Sequence, residues 1–303
     1  MKIYYTDHFD LPLPAGHRFP MDKYQRLRQH VVRSEHHLLD TLIVPPAATD
    51  QQLLSCHTER YVKAVCEGSL SPSEIRRIGF PWSAQMVERS RRSTGATLAA
   101  SRAAINDGIS VNLAGGTHHA MCDAGEGYCV FNDAAVTIRT LQQEKVIQRA
   151  CVIDLDVHQG NGTAEILADD DAVFTLSLHG VKNFPIRKSP SDLDVNLDDG
   201  TTDEQYIAAL CEALQQLDNG DPFDLAIYLA GADPYDGDRL GRLSMSKEGL
   251  AERDRTVMQW CLDRNLPLAI AMAGGYAPDV NDIVEIHGMT VQLASMHSKT
   301  MAP

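Results

Sequence analysis

Short apolar runs alternate with longer stretches of mixed polarity along the whole chain. Runs rich in β-branched and apolar residues lie at Ile3 to Tyr5, Leu42 to Val44, Ser110 to Leu113, Ala150 to Leu155, Val173 to Leu178, Leu225 to Ala230 and Pro267 to Ala273. Several are continuously apolar rather than alternating, the pattern of strands covered on both faces, as in a parallel sheet. The segments between them predict helices near 21–37, 58–67, 83–106, 132–145, 161–168, 202–218, 247–264 and 279–297. Acidic or Ser-led starts such as Asp203-Glu204 and Ser246-Lys247-Glu248 support two of these. The stretch 180–201 carries no clear period and reads as a long surface loop. Strand–helix alternation from end to end predicts one α/β domain over 1–303, with a mainly parallel central sheet flanked by helices.

The strand ends share a chemistry. Ser110 to Leu113 runs into Gly115-Gly116-Thr117-His118-His119, and Ala150 to Leu155 runs into Asp156 and His158. Leu225 to Ala230 meets Gly231-Ala232-Asp233, and Pro267 to Ala273 meets Gly274-Gly275-Tyr276. Ligands of open parallel sheets bind beyond the carboxyl ends of the strands, so four strands deliver Gly, His, Asp and Tyr to one edge. Alternate residues of a strand share a face, which lets Asp154, Asp156 and His158 point together. Carboxylate oxygen and imidazole nitrogen suit zinc, and Asp233 at the end of another strand is the natural third ligand of an open catalytic site. His118 and His119 suit acid and base roles beside a metal-bound water, because His titrates near neutrality. The Tyr276 phenol suits donation to a developing oxyanion.

Composition narrows the classes without choosing among them. Of 303 residues, 44% are hydrophobic and 22% charged, which excludes disordered and fibrous chains. The formal net charge of -14 argues against direct nucleic acid binding and fits a cationic partner better. Seven Cys with no C-x-x-C pair argue against a disulfide framework or a Cys-based zinc site. The N-terminal residues show no secretory h-region, and no apolar run reaches membrane-span length. A cytoplasmic location is the expectation.

The ordered set GGTHHA, GYCVFND, VIDLDVHQGNGT, FTLSLHG, AGADPYDGDRLGRLSMS and AGGY resembles the zinc-dependent histone deacetylase family. GDRLGRLSMS and the compact length are most similar to its class IV branch and bacterial relatives. The resemblance implies an arginase/deacetylase-like three-layer fold and hydrolysis of acyl groups from lysine in proteins or peptides. It implies Asp156, His158 and Asp233 as zinc ligands, His119 as general base and acid, and His118 as its electrostatic partner. Tyr276 then stabilises the oxyanion. Asp154 orients His118, and Asn161 backs His119 where class I relatives have Asp. A structural potassium ion is implied at Asp154, Asp156, His158, Ser177 and Leu178. Gly127, Tyr128 and Phe184 are implied as walls of an acyl-lysine tunnel, with Gly274 and Gly275 approaching the substrate. Arg18 and Met21 are expected at an internal cavity below the zinc, and Arg76 to Trp82 at the entrance. The acyl group is expected to be acetyl or a longer fatty acyl, and the class IV likeness points to the longer groups in preference to acetyl.

Three alternatives stay open. A binuclear ureohydrolase would need a ligand at the fifth position of the motif that starts at Asp156, and Gly160 stands there. An acetylpolyamine or other small-amide deacetylase would generally carry a long insertion, which the chain lacks. An acyl-lysine-binding pseudoenzyme would be expected to lose a ligand, a histidine or the tyrosine, and all are present.

Overall fold

The computed structural model describes residues 1–9, 11–218 and 220–300. Eight strands form one sheet: β1 (Lys2–Tyr4), β2 (Thr41–Ile43), β3 (Ile109–Asn112), β4 (Ala150–Asp154), β5 (Val173–Gly180), β6 (Leu193–Leu197), β7 (Leu225–Ala230) and β8 (Leu268–Met272). Their order is β2-β1-β3-β8-β7-β4-β5-β6, and every neighbouring pair is parallel. The central strands are buried on both faces, which is why they read as unbroken apolar runs.

Alternate residues of these strands feed two separate cores. Leu225, Ile227 and Leu229 of β7 join Val152 and Ala269 on one face. Ala226, Tyr228 and Ala230 join Ile153 and Ile270 on the other. The first face is covered by α5 (Ala84–Asp107) and α6 (Asp133–Gln143), and the second by α1 (Lys23–Arg33), α8 (Asp203–Leu217), α9 (Lys247–Asp263) and α10 (Val280–Thr300). The remaining helices are α2 (Asp50–Leu53), α3 (Glu59–Glu67), α4 (Pro72–Ile78) and α7 (Asn161–Leu167). A third cluster, with Phe19, Tyr24, Tyr61, Phe80 and Phe131, lies around the carboxyl edge of the sheet.

The three-layer α/β expectation holds, with local differences. The loop foreseen over 180–201 contains the edge strand β6, whose mostly half-buried residues lack the apolar run that marks the centre. The helix foreseen over 21–37 stops at Arg33, and Ser34 instead caps a 3-10 turn at Glu35–His37. Helices α2 and α4 went unforeseen because each is a single capping box with two turns or fewer, too short to show a period. All seven cysteines are free.

One buried ion pair ties the helical layer to the sheet's carboxyl edge. Arg253 of α9 is fully buried and donates to the carbonyls of Gly231 (2.6 Å) and Leu155 (3.3 Å), just beyond β7 and β4. Its charge is met by Asp254 at 2.8 Å, which also accepts from Tyr228 and Thr290, each at 2.5 Å. Removing one partner of a buried pair leaves the other uncompensated. Arg253→Met should lower unfolding stability by about 3–5 kcal/mol in urea denaturation. A loss below about 1 kcal/mol would show that the pair is not holding these strand ends.

Candidate active site

The loop after β3 is fastened before it delivers its histidines. The Asp133 carboxylate, at the start of α6, accepts from the backbone of Gly116 (2.9 Å) and Thr117 (2.8 Å) and from the hydroxyls of Thr97 and Thr117. Asn132 caps α6 by accepting from Ala135 and donates to the carbonyl of Ala120 at 3.1 Å. His118 and His119 are held between these anchors, with ring centroids 4.1 Å apart. Sequence reasoning quoted the GYCVFND segment but assigned Asn132 and Asp133 no task. Their signal was two polar residues opening an apolar helix, which also reads as a plain N-cap.

Each histidine has its own partner. His118 Nδ1 lies 2.7 Å from Asp154 Oδ2, and His119 Nδ1 lies 2.7 Å from Asn161 Oδ1 at the start of α7. All four side chains are buried. Burial opposes a charge on His118, but Asp154 and Asp156 overcome it and hold its pKa up to about 9. Asp154 is itself pushed up by burial, with His118 pulling it down. Protonated His118 against ionised Asp154 is the consistent state, because Asp156 lies only 3.9 Å from His118 Nε2. His119 goes the other way. Burial and then the charges of His118 and His158 press it well below the ordinary histidine value. The Asn161 carbonyl leaves the hydrogen on His119 Nδ1, and its Nε2 lone pair free.

Asp156, His158 and Asp233 converge, with one ligand atom of each within 4.8 Å of the others. His158 Nδ1 lies 2.9 Å from Asp156 Oδ1 and 3.3 Å from Asp233 Oδ2. That Asp233 oxygen is buried and accepts no well-formed hydrogen bond among the described residues. Two buried carboxylates and one imidazole nitrogen, with an oxygen left over, fit a divalent cation. Backbone groups aim the remaining oxygens: Gly274 donates to Asp156 Oδ2 (2.6 Å), and Val157 donates to Asp233 Oδ1 (2.9 Å). A Cβ at Gly274 would land on carboxylate oxygens of both aspartates, so only glycine allows this approach.

Two cavities meet this cluster. The outer mouth, of about 560 Å³, is lined by His119, His158 and Tyr276 together with Gly127, Tyr128 and Phe184. Phe184 stands edge-on to His119 at 4.9 Å and 87°. A Cβ at Gly127, where φ is 54°, would strike His119 and press on Phe184. The inner cavity, of about 40 Å³, lies among Lys23, Tyr24, His118, Asp156 and Tyr276. Tyr276 faces both cavities, its ring 6.3 Å from that of His158 and its backbone N–H held at 2.6 Å by Asp238. Burial keeps its phenol far above the ordinary value, so it stays a donor.

Several expected residues sit elsewhere. Arg18 is exposed and lines the mouth rather than the inner cavity, because the chain turns between it and α1. Lys23 takes the inner position instead, buried, with Nζ 3.4 and 3.3 Å from the carbonyls of Ala273 and Gly275. Its place inside an amphipathic helix start gave no sign of this. Met21 packs with the aromatic cluster beside Tyr276. Gly275 lines neither cavity, its Cα facing Ile283 and Ala232. Arg76 to Gly79 line the mouth, whereas Trp82 turns away and donates to Val65 at 2.7 Å. Ser177 pairs in register with Asp154 and its hydroxyl meets His179, while the Leu178 side chain is in the core. His57 bonds the Met121 carbonyl through Nδ1 at 2.9 Å and accepts from the Asn132 backbone N–H through Nε2 at 3.0 Å.

A buried Asp–His–Asp cluster, two differently tuned histidines and a phenol, all at the carboxyl edge of a parallel sheet, are the groups that a hydrolytic centre able to hold a divalent cation would need. Residues 17–289 match the histone deacetylase domain. The chain is 41% identical over 288 residues to an uncharacterized protein of Picosynechococcus, covering 95% of each. It is 31% identical over 290 residues to histone deacetylase 2 of Arabidopsis thaliana, covering 91% of this chain and 74% of that one. In fold it resembles the crystal structure of the HDA15 HD domain (TM-score 0.80, 19% identity, 99% and 93% covered). It likewise resembles an HDAC homolog complexed with SAHA (TM-score 0.80, 24% identity, 98% and 83% covered). The chain belongs to the histone deacetylase family, and that membership makes it a deacetylase.

The charge on the Asp156–His158–Asp233 cluster sets a pH dependence for metal uptake. Burial opposes a proton on His158, but Asp156 and Asp233 hold its pKa up to about 10 in the metal-free protein. Below that value a cation must displace the proton. Affinity for Zn²⁺ should therefore rise about tenfold per pH unit between about pH 6 and 7.5, measured by competition with a chelating dye. A pH-independent affinity would contradict this protonation state.

Proposed function

We propose that the protein is a zinc-dependent lysine deacetylase that removes short acyl groups, acetyl foremost, from the ε-amine. The observation that carries this reading is the meeting of the Asp156–His158–Asp233 cluster, His119 and Tyr276 at the base of one mouth. Zinc bound by those three side chains would supply a Lewis acid for the acyl carbonyl oxygen and lower the pKa of a water. The His119 Nε2 lone pair takes a proton from the attacking water. The acyl carbon gains a C–O bond, the C–N bond breaks, and the same proton passes from His119 to the leaving amine. His118, kept charged by Asp154, favours the negative charge that develops nearby, and Tyr276 donates to the oxyanion. The stem of the acyl-lysine would pass between Tyr128 and Phe184, which both line the mouth.

The size of the inner cavity supports a short acyl chain. About 40 Å³ holds a few water-sized groups, enough for an acetyl methyl but not for a fatty chain. This favours acetyl over the longer acyl groups that the class IV likeness suggests.

Turnover of one lysine peptide carrying acetyl, octanoyl or myristoyl groups, with and without chelator, tests the proposal. Acetyl should be hydrolysed fastest, and chelator should abolish the reaction. Chelator-insensitive turnover would overturn zinc dependence, and a faster myristoyl reaction would overturn the size argument. Tyr276→Phe should lower kcat by about 10²–10³ while zinc binding persists. Near-normal turnover would remove Tyr276 from the mechanism. Asn161→Asp should place a carboxylate on His119 and raise its pKa. A base works only when deprotonated, so the acid limb of the kcat/KM profile should move to higher pH, by about one unit. An unmoved limb would mean that His119 is not the base.

A further inference from the structure

The chain is strongly acidic overall, yet the mouth of its site is basic. Arg18, Arg76, Arg77 and Arg242 all line it. Two of them are answered locally: Arg77 by Glu126 at 3.1 Å and Arg242 by Asp199 at 3.5 Å. Asp199 is shared with Lys182 at 3.2 Å, so it compensates less than one arginine. Asp238, behind the rim, is occupied by the backbone N–H groups of Tyr276, Leu240 and Gly241. Arg18 and Arg76 are exposed and form no ion pair among the described residues. The four arginines and Lys182 outnumber Glu126, Asp199 and Asp238, so a positive field stands at the entrance of a chain whose formal charge is -14.

The stem of an acyl-lysine is a neutral amide, so this field does not act on the group in the tunnel. It acts on whatever flanks that group outside. An extended peptide advances about 3.3 Å per residue, which keeps the two residues on either side of the lysine within a Debye length of about 10 Å. Carboxylates there meet planar guanidinium groups suited to paired hydrogen bonds. A polyamine instead brings further protonated amines to the same entrance and is repelled.

Resting on the lysine deacetylase reading, we propose that Arg18 and Arg76 make the enzyme selective for acyl-lysines in acidic stretches of polypeptide and against polycationic amides. The test uses the zinc-loaded protein and three acetyl-lysine peptides of equal length, flanked on both sides by Glu, Gln or Lys, with an acetylated polyamine as fourth substrate. At about 0.02 M salt, kcat/KM for the Glu peptide should exceed that for the Lys peptide about tenfold, and the ratio should shrink towards one at about 0.3 M. The double variant Arg18→Glu/Arg76→Glu should lose or invert the ratio. Because a ratio is read, a general loss of activity in the variant cancels. Equal turnover of Glu and Lys peptides by the unaltered protein, or a preference that survives in the double variant, would overturn the selectivity. Faster turnover of the polyamine than of every peptide would overturn it in favour of a small cationic amide. No turnover of any peptide would overturn the lysine deacetylase reading itself, and the selectivity with it.

Discussion

The structure depends on keeping three carboxylates, Asp154, Asp156 and Asp233, buried together at one sheet edge. An isolated buried carboxylate is costly unless it is paired or binds a cation. Here the compensation is divided. Asp154 has His118, the Asp156 and Asp233 oxygens have backbone N–H groups and His158, and one Asp233 oxygen is left without a well-formed bond. That leftover valence is where a divalent cation fits, so the electrostatic demand of the buried carboxylates is one that a metal would meet.

The rest of the fold holds these charges in place. Parallel strands covered on both faces end at one edge, and the loops beyond β3, β4, β7 and β8 turn there towards a common point. Arg253 braces the chain beyond β4 and β7 from the helical side, and Lys23 braces the loop beyond β8 from the inner cavity. Asp133 braces the loop beyond β3. Each brace donates to or accepts from backbone groups, fixing the loop without entering the chemistry. The two histidines then differ through their partners and through the charges around them. A carboxylate keeps His118 charged, an amide leaves His119 neutral, and the charge on His118 deepens the difference.

Charge on this protein is a matter of place rather than of sum. The formal total predicts an affinity for cations, but the mouth carries the opposite sign. Fields at a cleft depend on the few groups within a Debye length of it, and the total counts every group equally.

The sequence by itself determined seven of the eight strands, most helices and which side chains meet at one sheet edge. Unbroken apolar runs such as Leu225 to Ala230 report burial on both faces, and a parallel sheet sends Asp156, His158, Asp233, the His pair and Tyr276 to one edge. Local pattern could not show β6 or the two short capped helices, where the signal spans too few residues to be periodic. Only the tertiary structure decided that Lys23 rather than Arg18 reaches the inner cavity, that Asp133 and Asp238 hold the loops beyond β3 and β8, and that four arginines line the mouth. Those facts join residues far apart in the chain. They depend on how helices and loops pack over the sheet edge, and spacing along the sequence carries no record of that packing.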